Sequence, residues 1–172
     1  ISQIHGEGRI TGVTISRVDE NLRPIPEESQ YIPCDTLLLS CGLIPENELT
    51  KEAGIPLDRV TGGAVVSETR ETDVPGIFAC GNVLHVHDLV DFVTAESMRA
   101  GRAAAAFVQN GEADDAGLIT LKNGDGVTYT VPQRIRPGNV TNAEVFFRVN
   151  RVCGSSEIRV MSGDVQIAKF KR

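Results

Sequence analysis

The chain has 172 residues, 41% of them hydrophobic and 23% charged, and a formal net charge of -6. This length holds one ordinary domain or two small ones, with the composition of a soluble globular protein. The acidic balance argues against a nucleic-acid partner. No apolar run approaches the roughly 20 residues of a membrane-spanning helix, so we expect no membrane span.

The first third of the chain predicts strands. Residues 8–16 are rich in β-branched side chains, and residues 29–34 predict an antiparallel return. Residues 19–28 predict a polar loop, because Pro24 and Pro26 interrupt them. The continuous apolar run at 36–40 is typical of a strand buried in a parallel sheet.

The middle third alternates short elements and ends in a long helix. Residues 45–54 predict a short helix, and residues 64–67 and 77–80 predict short strands. A long helix is predicted from Asp88, as its N-cap, to Asn110. A glycine within a helix costs about 1 kcal/mol relative to Ala, so Gly101 predicts that the helix packs closely against a strand at this point. The predicted apolar face consists of Leu89, Phe92, Val93, Met98, Ala104 and Phe107.

The last third predicts a small β domain. Residues 112–117 are small and acidic and indicate a linker, after which residues 117–172 predict about five strands. One hairpin is expected between 118–121 and 127–131. A second is expected around the turn at 162–164, with 158–160 pairing with 165–167.

The four cysteines, at positions 34, 41, 80 and 153, have neither a metal-binding nor a disulfide spacing. A reducing, cytoplasmic compartment is therefore expected, and no redox-active cysteine pair.

A corner at Gly81 and Asn82 is the strongest candidate binding site. Gly81 has no side chain, so a bulky ligand can lie against its peptide, and Asn82 offers a donor and an acceptor. The start of the next helix, at Leu89 to Val93, would direct free amides and a positive dipole end to the same place. The combination suits a phosphate or a flavin edge. The alternatives are an ordinary strand-end turn and a capped surface helix.

His85 and His87 are the weak candidates for catalysis; no other catalytic residue is indicated. Alternate residues of a strand face one side, so a metal pair is one interpretation. Two imidazoles and one carboxylate are a thin ligand set, and we predict no metal. The other interpretation is that one histidine moves protons beside a cofactor.

The motifs of this chain and their order resemble those of a known family. The stretch Thr72-Asp-Val-Pro-Gly-Ile-Phe-Ala-Cys-Gly-Asn82 resembles the second FAD-binding motif of the pyridine nucleotide-disulfide oxidoreductase superfamily, flavoproteins with two dinucleotide-binding domains. Upstream of this motif, residues 37–47, 54–58 and 62–66 also fall where the family has its corresponding segments, so the resemblance covers about residues 8–110. Asn82 stands where the family has an aspartate that accepts a hydrogen bond from a ribityl hydroxyl. The chain lacks the family's Gly-x-Gly-x-x-Gly fingerprints and begins at Ile1.

The resemblance implies an α/β fold, or α+β for a C-terminal fragment, built from parts of Rossmann-like FAD- and NAD(P)-binding domains and a small all-β C-terminal domain. Residues 1–45 would end the NAD(P)-binding domain, 46–112 would be the returning FAD segment, and 117–172 the β domain. FAD would contact residues of the corner and of the helix start: Gly81, Asn82, Asp91, Phe92 and Val93.

The function implied is the C-terminal part of an FAD-dependent NAD(P)H oxidoreductase, in which hydride passes from nicotinamide to flavin and onward to an acceptor. The branch that it resembles is that of the NAD(FAD)-dependent dehydrogenases. The acceptor would be a small molecule or a protein, such as a partner dehydrogenase or an iron–sulfur protein; homo-oligomerisation stays open. The isolated chain is expected to be inactive. The alternative is a β-rich docking or dimerisation module without catalysis of its own. A hydrolase is not indicated, since no Gly-x-Ser-x-Gly occurs.

Overall fold

The structure is a computed structural model and describes residues 1–112, 117–138 and 142–171. Its contacts divide the chain into two compact units, one of residues 1–42 and one from residue 43 onward. The three ranges predicted for the domains, 1–45, 46–112 and 117–172, remain predictions.

The first unit is a three-stranded antiparallel sheet in the order β1-β2-β3, with β1 at Gln3–His5, β2 at Gly12–Val18 and β3 at Pro24–Pro33. The predicted strand and its antiparallel return are confirmed. The predicted loop at 19–28 is wrong in its second half, because β3 already begins at Pro24. Pro24 is the first residue of the edge strand β3, and Pro26 lies where the register with β2 shifts, so both prolines are tolerated.

The apolar run at 36–40 does not form the predicted buried strand. It has no regular secondary structure, and Leu38 is 90% exposed. A parallel strand needs hydrogen-bonded neighbours and covering layers on its faces. Within the described residues, no strand pairs with this segment.

The second unit begins with helix α1, Glu48–Glu52, inside the range predicted for it. The strands predicted at 64–67 and 77–80 are present only as isolated bridges, which join Leu57 to Ala64, Val66 to Thr72, and Glu71 to Phe78. These bridges fold the 57–79 segment into compact turns. The buried apolar cluster beneath them consists of Ile55, Ala64, Val66, Leu84 and Val131.

Helix α2 spans Val90–Asn110, so the long helix is confirmed but its predicted start is not. The N-cap position is Leu89, and no side chain caps it. Asp88 instead accepts two hydrogen bonds from Arg148, a stronger partner for a carboxylate than a helix amide. The expected close packing at Gly101 is also wrong, because a Cβ there would lie in open space.

The inward stripe of α2 differs from the predicted apolar face. Leu89, Phe92 and Met98 are exposed, whereas the two fully buried residues of the helix are Glu96 and Ala100. An acid therefore occupies the position at which the periodicity predicts an apolar side chain.

From residue 117 onward, the regular elements of the described residues are strands in three antiparallel pairs: β4 (Ile119–Thr120) with β6 (Arg134–Ile135), β5 (Val127–Val131) with β7 (Phe146–Val149), and β8 (Glu157–Ser162) with β9 (Val165–Lys171). The hairpin predicted between 118–121 and 127–131 is wrong, since each of those strands pairs with a later one. The hairpin around 162–164 is confirmed as β8 and β9.

Among the described residues, neither helix combines the length and the apolar character that a bilayer crossing requires.

Candidate functional site: a buried carboxylate behind the Gly81 corner

Glu96 is the centre of a buried polar cluster in the second unit. Its side chain, two turns into α2, is fully buried. Oε1 accepts a hydrogen bond from Arg70 Nε at 2.9 Å, and Oε2 accepts one from the Gly81 amide at 2.8 Å. His87 Nε2 lies 2.9 Å from Oε2. One carboxylate thus joins the helix, the glycine corner and a histidine.

Arg70 reaches this carboxylate from a turn with an uncommon backbone. Its φ is 71°, in the left-handed region that few residues other than glycine adopt, at a cost on the order of 1 kcal/mol. Its amide donates to the Ser67 carbonyl, and its carbonyl accepts from the Ala79 amide. The guanidinium lies 5.8 Å from the centre of the Phe146 ring. The turn therefore holds a fully buried cation directly against Glu96.

Gly81 opens a short 3-10 turn, Gly81–Val83, with a φ of 73° that favours glycine. A Cβ at this position would lie 3.3 Å from Val93 Cγ1, so the corner packs directly against the first turns of α2. Asn82 is exposed, and its Oδ1 accepts a hydrogen bond from the His87 amide at 3.2 Å. The structure thus places Gly81 against Val93, with Asn82 next to Gly81 in the chain, and the binding role expected of these residues stays a prediction.

The two histidines pack against each other, with ring centroids 4.0 Å apart. His85 Nε2 is 3.4 Å from Glu96 Oε1, but neither ring nitrogen of His85 makes a hydrogen bond of good geometry. The aromatic rings of Tyr129 and Phe146 lie 5.9 Å from the His85 ring. Both imidazoles are almost fully buried, which leaves little access for direct proton exchange with water.

Charges in the cluster balance. Burial raises the pKa of Glu96, but contacts with His85 and His87, the Arg70 charge and the Gly81 amide together outweigh burial and lower it from 4.5 to about 2. Burial also lowers the pKa of Arg70, and the ion pair with Glu96 opposes this effect. At neutral pH both groups are ionised, and the pair carries no net charge.

His85, His87 and Glu96 could also be taken for a metal site, because one ligand atom from each lies within 4.8 Å of the others. The donor set fits a metal poorly. Glu96 supplies the single negative charge of this group, and Arg70 already neutralises it. A divalent cation would add two uncompensated charges to a buried site, which costs several kcal/mol. The hydrogen-bonded network satisfies the carboxylate without one.

A cleft of about 440 Å³ opens beside the cluster. His85, Tyr129, Arg148 and Arg59 contribute to its lining, together with apolar side chains. Arg148 is held in place by Asp88 and by the Tyr129 hydroxyl. The cleft gives an anionic or aromatic group room next to His85.

The remaining predicted contacts lie at the start of α2. Asp91 is an exposed first-turn residue, and the Phe92 ring is 6.3 Å from that of Phe146. Sequence reasoning missed Arg70 and Glu96. The sequence does mark Glu96, because this acid lies between Val93 and Ala100 at helical spacing, on a helix stripe that is otherwise apolar. Nothing in the sequence around Arg70 marks it.

Comparison with known proteins places the chain in a family. Residues 6–109 match the pyridine nucleotide-disulphide oxidoreductase family, and the chain belongs to it. The resemblance inferred from the motifs is therefore confirmed, and the family is one of oxidoreductases.

Three relatives are informative. A ferredoxin–NADP reductase of Streptococcus sanguinis is 33% identical over 93 residues, which cover 54% of this chain and 26% of that protein. Ferredoxin–NADP reductase 1 of Lysinibacillus sphaericus is 24% identical over 96 residues, 54% of this chain and 27% of that protein. An NAD(P)H nitrite reductase of Neurospora crassa is 36% identical over 56 residues, 32% of this chain and 5% of that protein. The chain thus spans about a quarter or less of the length of these relatives. No solved structure matches it.

Proposed function

We propose that the chain is the C-terminal part of an FAD-dependent NAD(P)H oxidoreductase. The observation that carries the proposal is the Gly81 corner: a buried glycine with left-handed backbone, followed by the exposed Asn82 and packed against the start of α2. It lies within the segment that matches the family.

The residues at this corner fit a flavin edge. No side chain caps α2, and Asp88 is engaged by Arg148, so the first-turn amides of Val90 and Asp91 are open to an acceptor. A helix N-terminus carries about half a positive charge, which suits the electron-rich pyrimidine side of a reduced flavin. Asn82 lies at the exposed end of the corner, where a ribityl hydroxyl would be bound. Phe92 and Val93 would flank the ring.

When bound, FAD supplies the hydride-accepting chemistry. The chain's own residues would bind and orient it: Gly81 through close backbone approach, Asn82 by hydrogen bonding, and the α2 start through its dipole. His85 and His87 remain the candidates for holding a proton near the cofactor, with His87 hydrogen-bonded to Glu96.

A longer parent chain is part of the proposal. Exposed apolar side chains at Leu38, Leu39, Leu43 and Ile44 suit a segment that another part of a polypeptide would cover. The relatives are several times longer than the matched region. In the parent, 1–45 would complete the NAD(P)-binding domain and 46–112 the FAD-binding domain.

The electron acceptor is a further proposal. Two relatives bear the name ferredoxin–NADP reductase, which favours an electron-transfer protein as partner. A small-molecule acceptor and a partner dehydrogenase are the other options. We propose a cytoplasmic enzyme that uses NADH or NADPH as its reductant.

The test compares two forms of the protein. The 172-residue chain is expected to be colourless and not to oxidise NADH, because it lacks the glycine-rich fingerprints that hold the pyrophosphates. The polypeptide extended by its natural upstream residues is expected to retain FAD and to oxidise NAD(P)H. An extended form that neither binds FAD nor oxidises NAD(P)H would contradict the proposal.

A docking or dimerisation role is the second candidate, and the β8–β9 hairpin favours it. Ile158 pairs with Phe170, and Val160 with Ala168, on one face of the hairpin, where Phe170 is 57% exposed. The substitution Phe170→Ser in the whole chain should then lower its self-association in analytical ultracentrifugation. An unchanged, monomeric sedimentation of both forms would count against self-docking.

A further inference from the structure

We propose that Glu96 is a positioning residue that fixes the Gly81–Asn82 corner and the His87 ring relative to the start of α2. What the corner binds rests on the function proposed above. The positioning itself is a property of the described residues and is tested without any cofactor.

The two oxygens of Glu96 hold different elements. Oε1 contacts Arg70, which belongs to the turn that precedes the corner. Oε2 accepts from the Gly81 amide, and His87 Nε2 lies against the same oxygen. The carboxylate therefore ties the corner, the segment after it and the helix to one point. An interior site without competing water makes each of these bonds more effective than on the surface.

The hydrogen bond to Glu96 occupies the Gly81 amide. Because Glu96 already accepts from it, Gly81 contributes its conformation and its lack of a side chain to the corner, not a free N–H donor. The open donors are those at the α2 start. Their distance from the corner is set by the Glu96–Gly81 contact, so this contact sets the spacing between two parts of the proposed cofactor site.

The His87 ring is fixed in one tautomer by the same oxygen. An ionised carboxylate only accepts hydrogen bonds, so a neutral His87 must carry its proton on Nε2. The His87 backbone amide in turn donates to Asn82 Oδ1, which turns the NH2 group of Asn82 away from it. A chain of contacts thus runs from Glu96 through His87 to the exposed Asn82 side chain.

Arg70 explains how an acid can stand behind a site for an electron-rich ligand. An unpaired buried carboxylate would repel phosphates and a reduced flavin. The guanidinium at 2.9 Å cancels that field, while the carboxylate keeps its accepting geometry. The strained φ of Arg70 is consistent with selection for this contact, because backbone strain persists where the surrounding structure enforces it.

Glu96→Gln in the 172-residue chain is the direct test. A glutamine has one oxygen, and the fully buried Arg70 cation requires it, so the NH2 group of the glutamine faces Gly81 and His87 and cannot accept from them. We expect the Nε2–H tautomer of His87, followed by 15N NMR, to lose its dominance. The exchange rate of the Gly81 amide should rise by about tenfold or more, the equivalent of one lost hydrogen bond. The Thr72 amide, bonded to the Ile77 carbonyl, serves as the internal reference.

Two further variants complete the design. Glu52→Gln removes an exposed acid from α1 and should change neither readout. If Glu96→Gln unfolds, Arg70→Met combined with Glu96→Met removes both charges of this pair and both acceptor oxygens, and should show the same two losses. Unchanged His87 tautomer and Gly81 exchange in the folded Glu96 variants would overturn the proposal, even if the melting temperature falls.

The link to the cofactor is tested separately in the upstream-extended polypeptide. Glu96→Gln should weaken FAD binding by about tenfold, and Glu52→Gln should not. If Glu96→Gln changes the His87 tautomer and the Gly81 amide exchange but binds FAD as tightly as the wild type, the proposal that Glu96 positions the cofactor site is overturned. Absence of FAD binding in the wild type would instead contradict the proposed function, while the two NMR readouts would still support the local positioning.

Discussion

Acidification should destabilise the second unit, and the buried Glu96 should make the contribution that salt does not screen. The pKa of Glu96 is lowered to about 2 in the folded chain from an ordinary 4.5. Because the folded-state pKa is the lower one, its contribution is complete above about pH 4.5 and is lost as the pH falls toward 2. The difference corresponds to about 3 kcal/mol of unfolding free energy.

Urea unfolding of the 172-residue chain, followed by far-UV circular dichroism, measures this loss. The 21-residue helix α2 dominates the helical signal of the described residues, so the signal reports the second unit. Between about pH 6 and about pH 2.5 the wild-type unfolding free energy should fall by 2–3 kcal/mol more than that of Glu96→Gln, which has no carboxyl group to protonate.

Exposed acids contribute to the same pH range and must be separated. The side-chain hydrogen bond from Arg151 lowers the pKa of Asp125, and that from Lys169 lowers the pKa of Glu157. Both pairs are exposed, so added salt screens them far more than the buried Glu96 pair. The difference between wild type and Glu96→Gln should therefore survive in salt. Equal pH dependence in the two proteins would refute the assigned role of the buried carboxylate.

Further predictions concern glycines, zinc and Arg70. Gly63→Ala should lower the unfolding free energy in urea by more than about 3 kcal/mol, because its Cβ would lie 1.7 Å from the Leu84 carbonyl oxygen. Gly101→Ala should raise the unfolding free energy by about 1 kcal/mol, since its Cβ meets open space in a helix. The opposite order would contradict the packing described. Added zinc should leave the melting temperature unchanged, because Arg70 already neutralises Glu96. A zinc-dependent rise in melting temperature that His85→Ala abolishes would establish a metal site. Arg70→Met should cost about 3–5 kcal/mol at neutral pH, by leaving a buried carboxylate unpaired; a loss below about 1 kcal/mol would mean that the pair is not buried.

Local sequence signals predicted the elements that depend on local chemistry. Alternation and a Gly-Asp turn predicted the β8–β9 hairpin, and helical periodicity predicted α2. The Gly81 corner was predicted from its motif and from the lack of a side chain, and the structure adds a left-handed φ of 73°, which glycine favours.

Elements whose partners are distant in sequence were predicted less well. Strand β4 pairs with β6 and β5 with β7, and no turn signal distinguishes these pairings from the hairpin that was expected. The apolar run at 36–40 carries the composition of a buried strand, but a strand forms only where a partner lies beside it. Composition gives no information about that partner.

The centre of the candidate site was missed for a related reason. Glu96 is buried by contacts from residues 70, 81 and 87, which the fold brings to it. A lone acid on a helix is most often solvated, and here the contacts with His85 and His87, the ion pair with Arg70 and the Gly81 hydrogen bond together make its burial favourable. The sequence marks the acid on an apolar stripe but not the cation that neutralises it.

The central claim is that the Gly81 corner and the start of α2 hold one edge of FAD. The most direct measurement is the FAD content and affinity of the upstream-extended polypeptide in two glycine variants, Gly81→Ala and Gly101→Ala, with folding checked by circular dichroism. We predict that the wild type and Gly101→Ala retain FAD, whereas Gly81→Ala, which places a Cβ at a φ of 73° and 3.3 Å from Val93, loses at least about tenfold in affinity. FAD binding that is equal in the two folded variants, or absent from the wild type, would contradict the account.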